Sequence, residues 1–367
     1  MTPENILAPS VVVAAVESNF VPQLRDAQQD APLGVPEGRC KSLTITHPAA
    51  TINESISGFL ILGFSSLGSF RYHIFIILLL LYFLIITGNV TIALIVWVEP
   101  HLHTPMYMFA GTLSFLDICY TAVTIPQMLV IFWIGSVYIA FSGCLLQMYF
   151  LHSLGITKNY LLTVMAYDRY IAICNPLRYS TIMTSKCCKR LIFVCCLCGF
   201  MSPVTKLILI TFLPFCGSNE IHHLFCDLSP LLHLACADTF LNVITDFVIN
   251  SCIIFLTTAF IALTYVKIVF TIIMMKSAEG RRKAFSTCAA HITVVLIFFG
   301  SVTFMYVRPQ RVYAPEFDQL VTINYTILTP LLNPAVYSLR NKKIKKAIKK
   351  YLQLKDTSCS CRAMIGN

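Results

Sequence analysis

Two ionisable residues, Asp117 and Lys158, stand in stretches that are otherwise largely apolar, and a charged triplet, Asp168-Arg169-Tyr170, closes the second of them. A charge taken out of water without a partner costs several kcal/mol or is neutralised, so both groups demand partners. A second group of reactive residues lies between 144 and 236. Cys144, Cys216, Cys226 and Cys236 have the chemistry for disulfides, and Cys226 with His222, His223 and His233 also has the donor types for a metal ion.

Which chemistry applies depends on the elements that hold these residues. The chain has 367 residues, of which 57% are hydrophobic and 12% charged, with a mean hydropathy of +0.74. Soluble domains carry about 25% charged residues, so the composition indicates a membrane protein of several spans. Residues 74 to 98 contain no charge, and about 20 apolar residues cross the hydrocarbon core. Six further apolar segments cover 105 to 132, 142 to 170, 190 to 213, 239 to 270, 284 to 307 and 318 to 339. Backbone groups in lipid must be satisfied within the segment, and these runs are too long for barrel strands. The expected fold is therefore all-α, a seven-transmembrane helix bundle over 52 to 340.

Basic residues set the orientation. Arg178, Lys186, Lys189 and Arg190 follow span three, Lys276, Arg281, Arg282 and Lys283 follow span five, and Arg340, Lys342, Lys343, Lys345, Lys346, Lys349, Lys350 and Lys355 are among those that follow span seven, whereas loops 133 to 141 and 214 to 238 have none. The positive-inside rule puts the first set in the cytoplasm and the amino terminus outside. The net charge of +10 is thus accounted for by topology without nucleic acid. Cys144 and the 214 to 238 loop then face an oxidising compartment. We expect Cys144 with Cys226 and Cys216 with Cys236 rather than a metal, although spacing alone does not determine the pairing.

Residues 1 to 51 read as a disordered extracellular extension, and Asn53-Glu54-Ser55 is a glycosylation acceptor beside span one. Residues 341 to 367 form a cytoplasmic tail. In its first part basic pairs alternate with Ile344, Ala347, Ile348 and Tyr351, the pattern of a short amphipathic helix on an anionic leaflet.

Seven helices, Asp168-Arg169-Tyr170 at the inner end of the third and Asn333-Pro334 with Tyr337 at the inner end of the seventh resemble a rhodopsin-like G-protein-coupled receptor. Five strings narrow the likeness: LHTPMYMF (102 to 109), LSFLDICY (113 to 120), MAYDRYIAICNPLRY (165 to 179), KAFSTCAAH (283 to 291) and PLLNPAVYSLRN (330 to 341). Together they look like an olfactory receptor over about residues 52 to 350. The resemblance implies an odorant pocket bordered by Leu151, His152, Gly155, Ile156 and Asn159 on span three, Phe299, Val302, Thr303 and Tyr306 on span six, and Ile323 and Thr326 on span seven. It also implies a stimulatory olfactory G protein as the cytoplasmic partner. An arginine fork such as Arg169 can exchange an internal carboxylate for a partner's carbonyls, and Pro334 removes a backbone bond and kinks its helix.

Two positions depart from the family. Phe299 stands where Tyr is common, and Lys158 stands where Glu is usual. Lys158 lies about 16 Å from Arg169 along the helix, and Asp117 about 18 Å inward of Pro105, so the two fall at similar depth. Asp117 contributes to a sodium site in receptors of this general class; an ammonium from Lys158 would occupy the cation's place. Two other readings are a receptor-like chain silenced by Lys158 and a transporter, although no internal repeat supports the latter. No cofactor is implied, and no nucleophile with an aligned base or phosphate-binding glycine loop points to an enzyme.

Overall fold

The computed structural model describes residues 57–63, 68–216, 218–306, 315–334 and 343–350, all within the unit Glu54–Asn367. The sequence expectations for residues 1 to 56, Asn53 included, and for Tyr337 fall outside these residues. Seven long helices dominate: α1 (Phe70–Val98), α2 (Pro105–Ile134), α3 (Phe141–Cys174), α4 (Ser185–Met201, continuing as Val204–Thr211), α5 (Phe240–Met274), α6 (Ala278–Tyr306) and α7 (Pro315–Pro334). An eighth, α8, covers 343–350. Among the described residues α1, α2, the α4 segment Ser185–Thr211 and α5 are long and apolar enough to cross a membrane.

Local chemistry sets the boundaries. Pro105 opens α2, where its missing N–H is not needed, and Gly135 closes it with φ 106°, a left-handed conformation that glycine adopts without strain. Asn175-Pro176 ends α3, because the residue before proline avoids the helical region. The Thr184 side chain accepts from the Cys187 N–H and starts α4, and Pro203 interrupts it after Met201.

Each helix turns one stripe inward. On α5 the residues buried from Asn250 onward are Asn250, Ile254, Thr257, Ile261, Thr264, Ile268 and Ile272, spaced by three and four, with Asn242 buried two turns earlier, while Phe255, Leu256, Leu263, Val266 and Phe270 point outward. Outward leucine and phenylalanine would be a liability in water and suit lipid tails. The largest core cluster draws on all seven long helices. Gly199 lets α4 approach α3 so closely that an added Cβ would collide with Thr157.

The outer end carries a feature the all-α expectation lacked. Three short strands, β1 (Gly58–Leu62), β2 (Ser136–Ala140) and β3 (Glu220–Ile221), form a sheet in the order β2-β1-β3. β1 pairs antiparallel with β2, Gly58 opposite Ala140, and parallel with β3, Leu60 opposite Glu220. Phe59 and Ile61 anchor it in a second cluster with Ile131, Cys144, Met148, Ile221 and Cys226. At the inner end Ile344 and Ala347 of α8 bury against Ile92, Ile95, Val96, Leu102 and Tyr107. Lys350 reaches Glu99 at 3.1 Å.

Candidate functional site

Disulfides join Cys144 to Cys226 and Cys216 to Cys236. The first ties the second outer loop to the top of α3, and hydrogen bonds hold that loop in place. Gln147 Nε2 donates to Gln127 Oε1 at 2.7 Å and its Oε1 accepts from the Cys226 N–H at 3.0 Å, while Gln319 of α7 donates to the His222 carbonyl at 3.1 Å. Leu224, Phe225, Cys226 and Asp227 are consequently buried over the bundle. His223 Nδ1 lies 3.0 Å from the Phe225 carbonyl, and among the described residues no His, Cys, Asp or Glu cluster is arranged to hold a metal ion.

Below this cover is a cavity of about 50 Å³, lined by α2, α3, α5, α6 and α7. It has space for a few water molecules, against roughly 300 Å³ or more for a typical small-molecule site. Of the residues expected there, Leu151, His152, Gly155, Ile156, Asn159 and Val302 border it. Phe299 is buried in the core with its ring edge-on to Phe298, 5.5 Å between centroids. Thr303 is exposed, Ile323 is half-buried against the core, and Thr326 is buried away from the cavity. The Tyr306 side chain lies outside the described residues. Phe298, Tyr325 and Thr329 take the expected places on α6 and α7. Asn250, Ile253 and Ile254 of α5 complete the wall, and the asparagine in an apolar run was the available signal for them.

The upper edge is polar. His152 Nε2 lies 3.0 Å from Asp227 Oδ1, the same oxygen that accepts from the Leu228 N–H at 2.7 Å to start the short helix Leu228–His233. Burial pushes the Asp227 carboxyl upward, but the hydrogen bond and charge of His152, with His223, prevail and bring it down to about 2. The carboxylate is therefore ionised across the physiological range.

The floor is an ion pair. Lys158 Nζ is 2.9 Å from Asp117 Oδ1 and 3.7 Å from the centroid of the Tyr120 ring, and Asn333 Nδ2 donates to Asp117 Oδ2 at 2.6 Å. The carboxylate thus links α2, α3 and α7. Asn89 of α1 donates to the Pro330 carbonyl at 2.9 Å, beside the proline-broken part of α7. Pro334, one residue past Asn333, lies close enough to α1 that a Cβ on Gly88 would meet it at 3.2 Å.

Toward the inner end Asp168 accepts from the Tyr179 phenol at 2.9 Å, with an Arg169 nitrogen 3.9 Å from its other oxygen. Burial, then the Asp168 carboxylate, push the Tyr179 phenol upward, so it remains a donor. Tyr170 is half-buried, its ring 6.4 Å from that of Tyr167. Tyr265 of α5 and His291 of α6 are hydrogen-bonded at 2.6 Å.

A profile of the olfactory receptors matches residues 78–355. Human olfactory receptor 6N1 is 51% identical over 300 residues, 82% of this chain and 96% of its own. Human olfactory receptors 6K6 and 10R2 are 52% and 46% identical, over 75% and 81% of this chain and 80% and 89% of theirs. The chain belongs to the olfactory receptor family. It is a G-protein-coupled receptor that crosses the membrane seven times. In this receptor α1 to α7 are the spans, and the cavity sits in the outer half of the bundle. The receptor also holds a buried pair not anticipated from its sequence, Lys206 on the α4 continuation with Asp246 on α5, 2.5 Å apart.

Proposed function

We propose that this receptor binds a small, volatile, weakly polar odorant in the cavity between α3, α5, α6 and α7 and activates a stimulatory G protein of the olfactory type. The observation that carries this reading is the location of the cavity: among five helices, beside a disulfide-anchored loop whose Asp227 contacts His152 on its wall, mostly apolar, and floored by a charged network that joins three helices. No bond of the ligand need change. An odorant acts by binding the signalling arrangement better than the resting one, and shifts their populations by that difference in free energy only. Because the cavity is small, a bound odorant favours arrangements in which α5 and α6 stand further from α3. Such movement strains the Tyr265–His291 bond and frees Arg169 to meet the G protein.

In this reading the amino terminus is extracellular and Asp168, Arg169, Tyr170, Asn333, Pro334 and Tyr337 serve the switch. A cyclic AMP reporter in cells that display the receptor tests it: some members of a broad volatile panel should raise the signal. A displayed receptor that answers none contradicts it. A second reading, a chain that folds but does not signal, is favoured by Lys158 itself, whose amine pairs with Asp117 and ties α3 to α2. In that case only Lys158→Glu would respond.

A further inference from the structure

Three polar atoms on the cavity wall stand without a hydrogen-bond partner among the described residues: Asn159 Oδ1 on α3, Asn250 Nδ2 on α5 and Thr329 Oγ1 on α7. All three residues are more than nine-tenths buried. Buried amides and hydroxyls are nearly always paired, and a polar group left unpaired costs more than a typical bond returns, so their convergence on one small space indicates what belongs there. From this we infer that the receptor's ligand is a neutral alcohol whose hydroxyl bridges Asn159 and Asn250. This rests on the odorant-receptor reading and narrows its ligand class.

A hydroxyl suits the wall for two reasons. It donates one hydrogen bond and accepts two, so it can give its proton to Asn159 Oδ1 while accepting from Asn250 Nδ2, with a lone pair left for the Thr329 hydroxyl. An aldehyde, ketone or ester only accepts and would leave Asn159 Oδ1 unpaired. An ionised acid is disfavoured on charge, because both basic groups on the wall already face carboxylates, Lys158 that of Asp117 and His152 that of Asp227. The remaining lining, Leu151, Ile156, Ile253, Ile254, Phe298 and Val302, takes the hydrocarbon part.

The test is a matched series read by cyclic AMP and normalised to surface display: hexanol, hexanal, hexyl methyl ether, hexanoate and hexane, with cyclohexyl counterparts and a broad volatile panel alongside. The alcohols should exceed the ethers and aldehydes in potency by about tenfold or more, the amount one or two hydrogen bonds supply. In Asn159→Leu the alcohol's advantage over the ether should disappear, and in Asn250→Leu all oxygenated members should fall toward the hydrocarbon. A general packing defect would weaken every ligand alike and leave these ratios intact. If either variant fails to reach the surface, the ratios on the unaltered chain decide. Equal or greater potency of aldehyde, ether, hexanoate or hexane overturns the alcohol assignment while leaving the receptor reading standing, as does a response confined to panel members that lack a hydroxyl. Silence toward the whole panel contradicts the receptor reading itself.

Discussion

At Lys158 an ammonium, a carboxylate, a carboxamide and an aromatic ring meet inside the bundle. Removing one partner of a buried pair is far more damaging than never having built it, because the other charge is left stranded, at a cost of about 3–5 kcal/mol. Lys158→Met should therefore sharply reduce surface display, measured by antibody staining of intact cells. Lys158→Glu instead sets two carboxylates side by side, which draws in a cation, so agonist potency should become sodium-dependent. Unchanged display in the first variant with no sodium effect in the second would sink the account of this pair.

At Asp227 the governing variable is pH. Its carboxyl lies near 2 in the folded chain against 3.8 ordinarily, a difference on the order of 2 kcal/mol. A lowered value stabilises the fold above about pH 4, and that contribution is lost as pH falls toward 2. Asp227→Asn should lower the melting temperature of purified receptor at pH 7 and flatten its decline between pH 4 and 2. A variant that melts like the parent across that range would show that the His152 contact does not hold the loop.

At the scale of elements, α3 and α4 meet where Gly199 faces Thr157 without room for a Cβ. Overpacking a tight contact costs typically 1–3 kcal/mol, so Gly199→Val should lower thermal stability by about that amount, while Cys198→Val on the exposed side of the same helix should change little. Equal effects of the two changes on the melting curve would mean that α4 is not seated as described.

How much of these elements was legible varied with the physics behind each. Long uncharged runs located the helices to within a few residues, and helix rise alone gave Asp117 and Lys158 the same depth. Rotation about each helix axis was not legible, because in lipid both faces can be apolar and periodicity loses contrast. That is why Phe298, Tyr325 and Thr329 border the cavity instead of Phe299, Ile323 and Thr326, and why α5 was overlooked. The sheet was missed because GFLIL is too short to distinguish from a helix entry, and its pairing with residues 136 and 220 is wholly non-local. Asp227 was invisible for the same reason: 75 residues separate it from His152.

Over the whole molecule, polarity is arranged along one axis. Loops rich in lysine and arginine cover one end, and disulfides, the sheet and the loop over the cavity cover the other. The proposed extracellular amino terminus would expose Asn53-Glu54-Ser55 to the glycosylating compartment. Receptor from cells should shift in mobility on glycosidase treatment, and Asn53→Gln should abolish the shift; a shift that persists would place the glycan elsewhere.

The claim that joins these scales is that the space between α3, α5, α6 and α7 is where the odorant sits. Gly155 offers the most direct test, because it borders that space and a Cβ there meets nothing within 4 Å. Gly155→Leu adds bulk to that wall from an unobstructed Cβ, and its cyclic AMP response to an odorant that activates the parent should be measured at matched surface display. Display should be normal with the response abolished or weakened at least about tenfold, whereas an unchanged dose–response curve would contradict binding in this space.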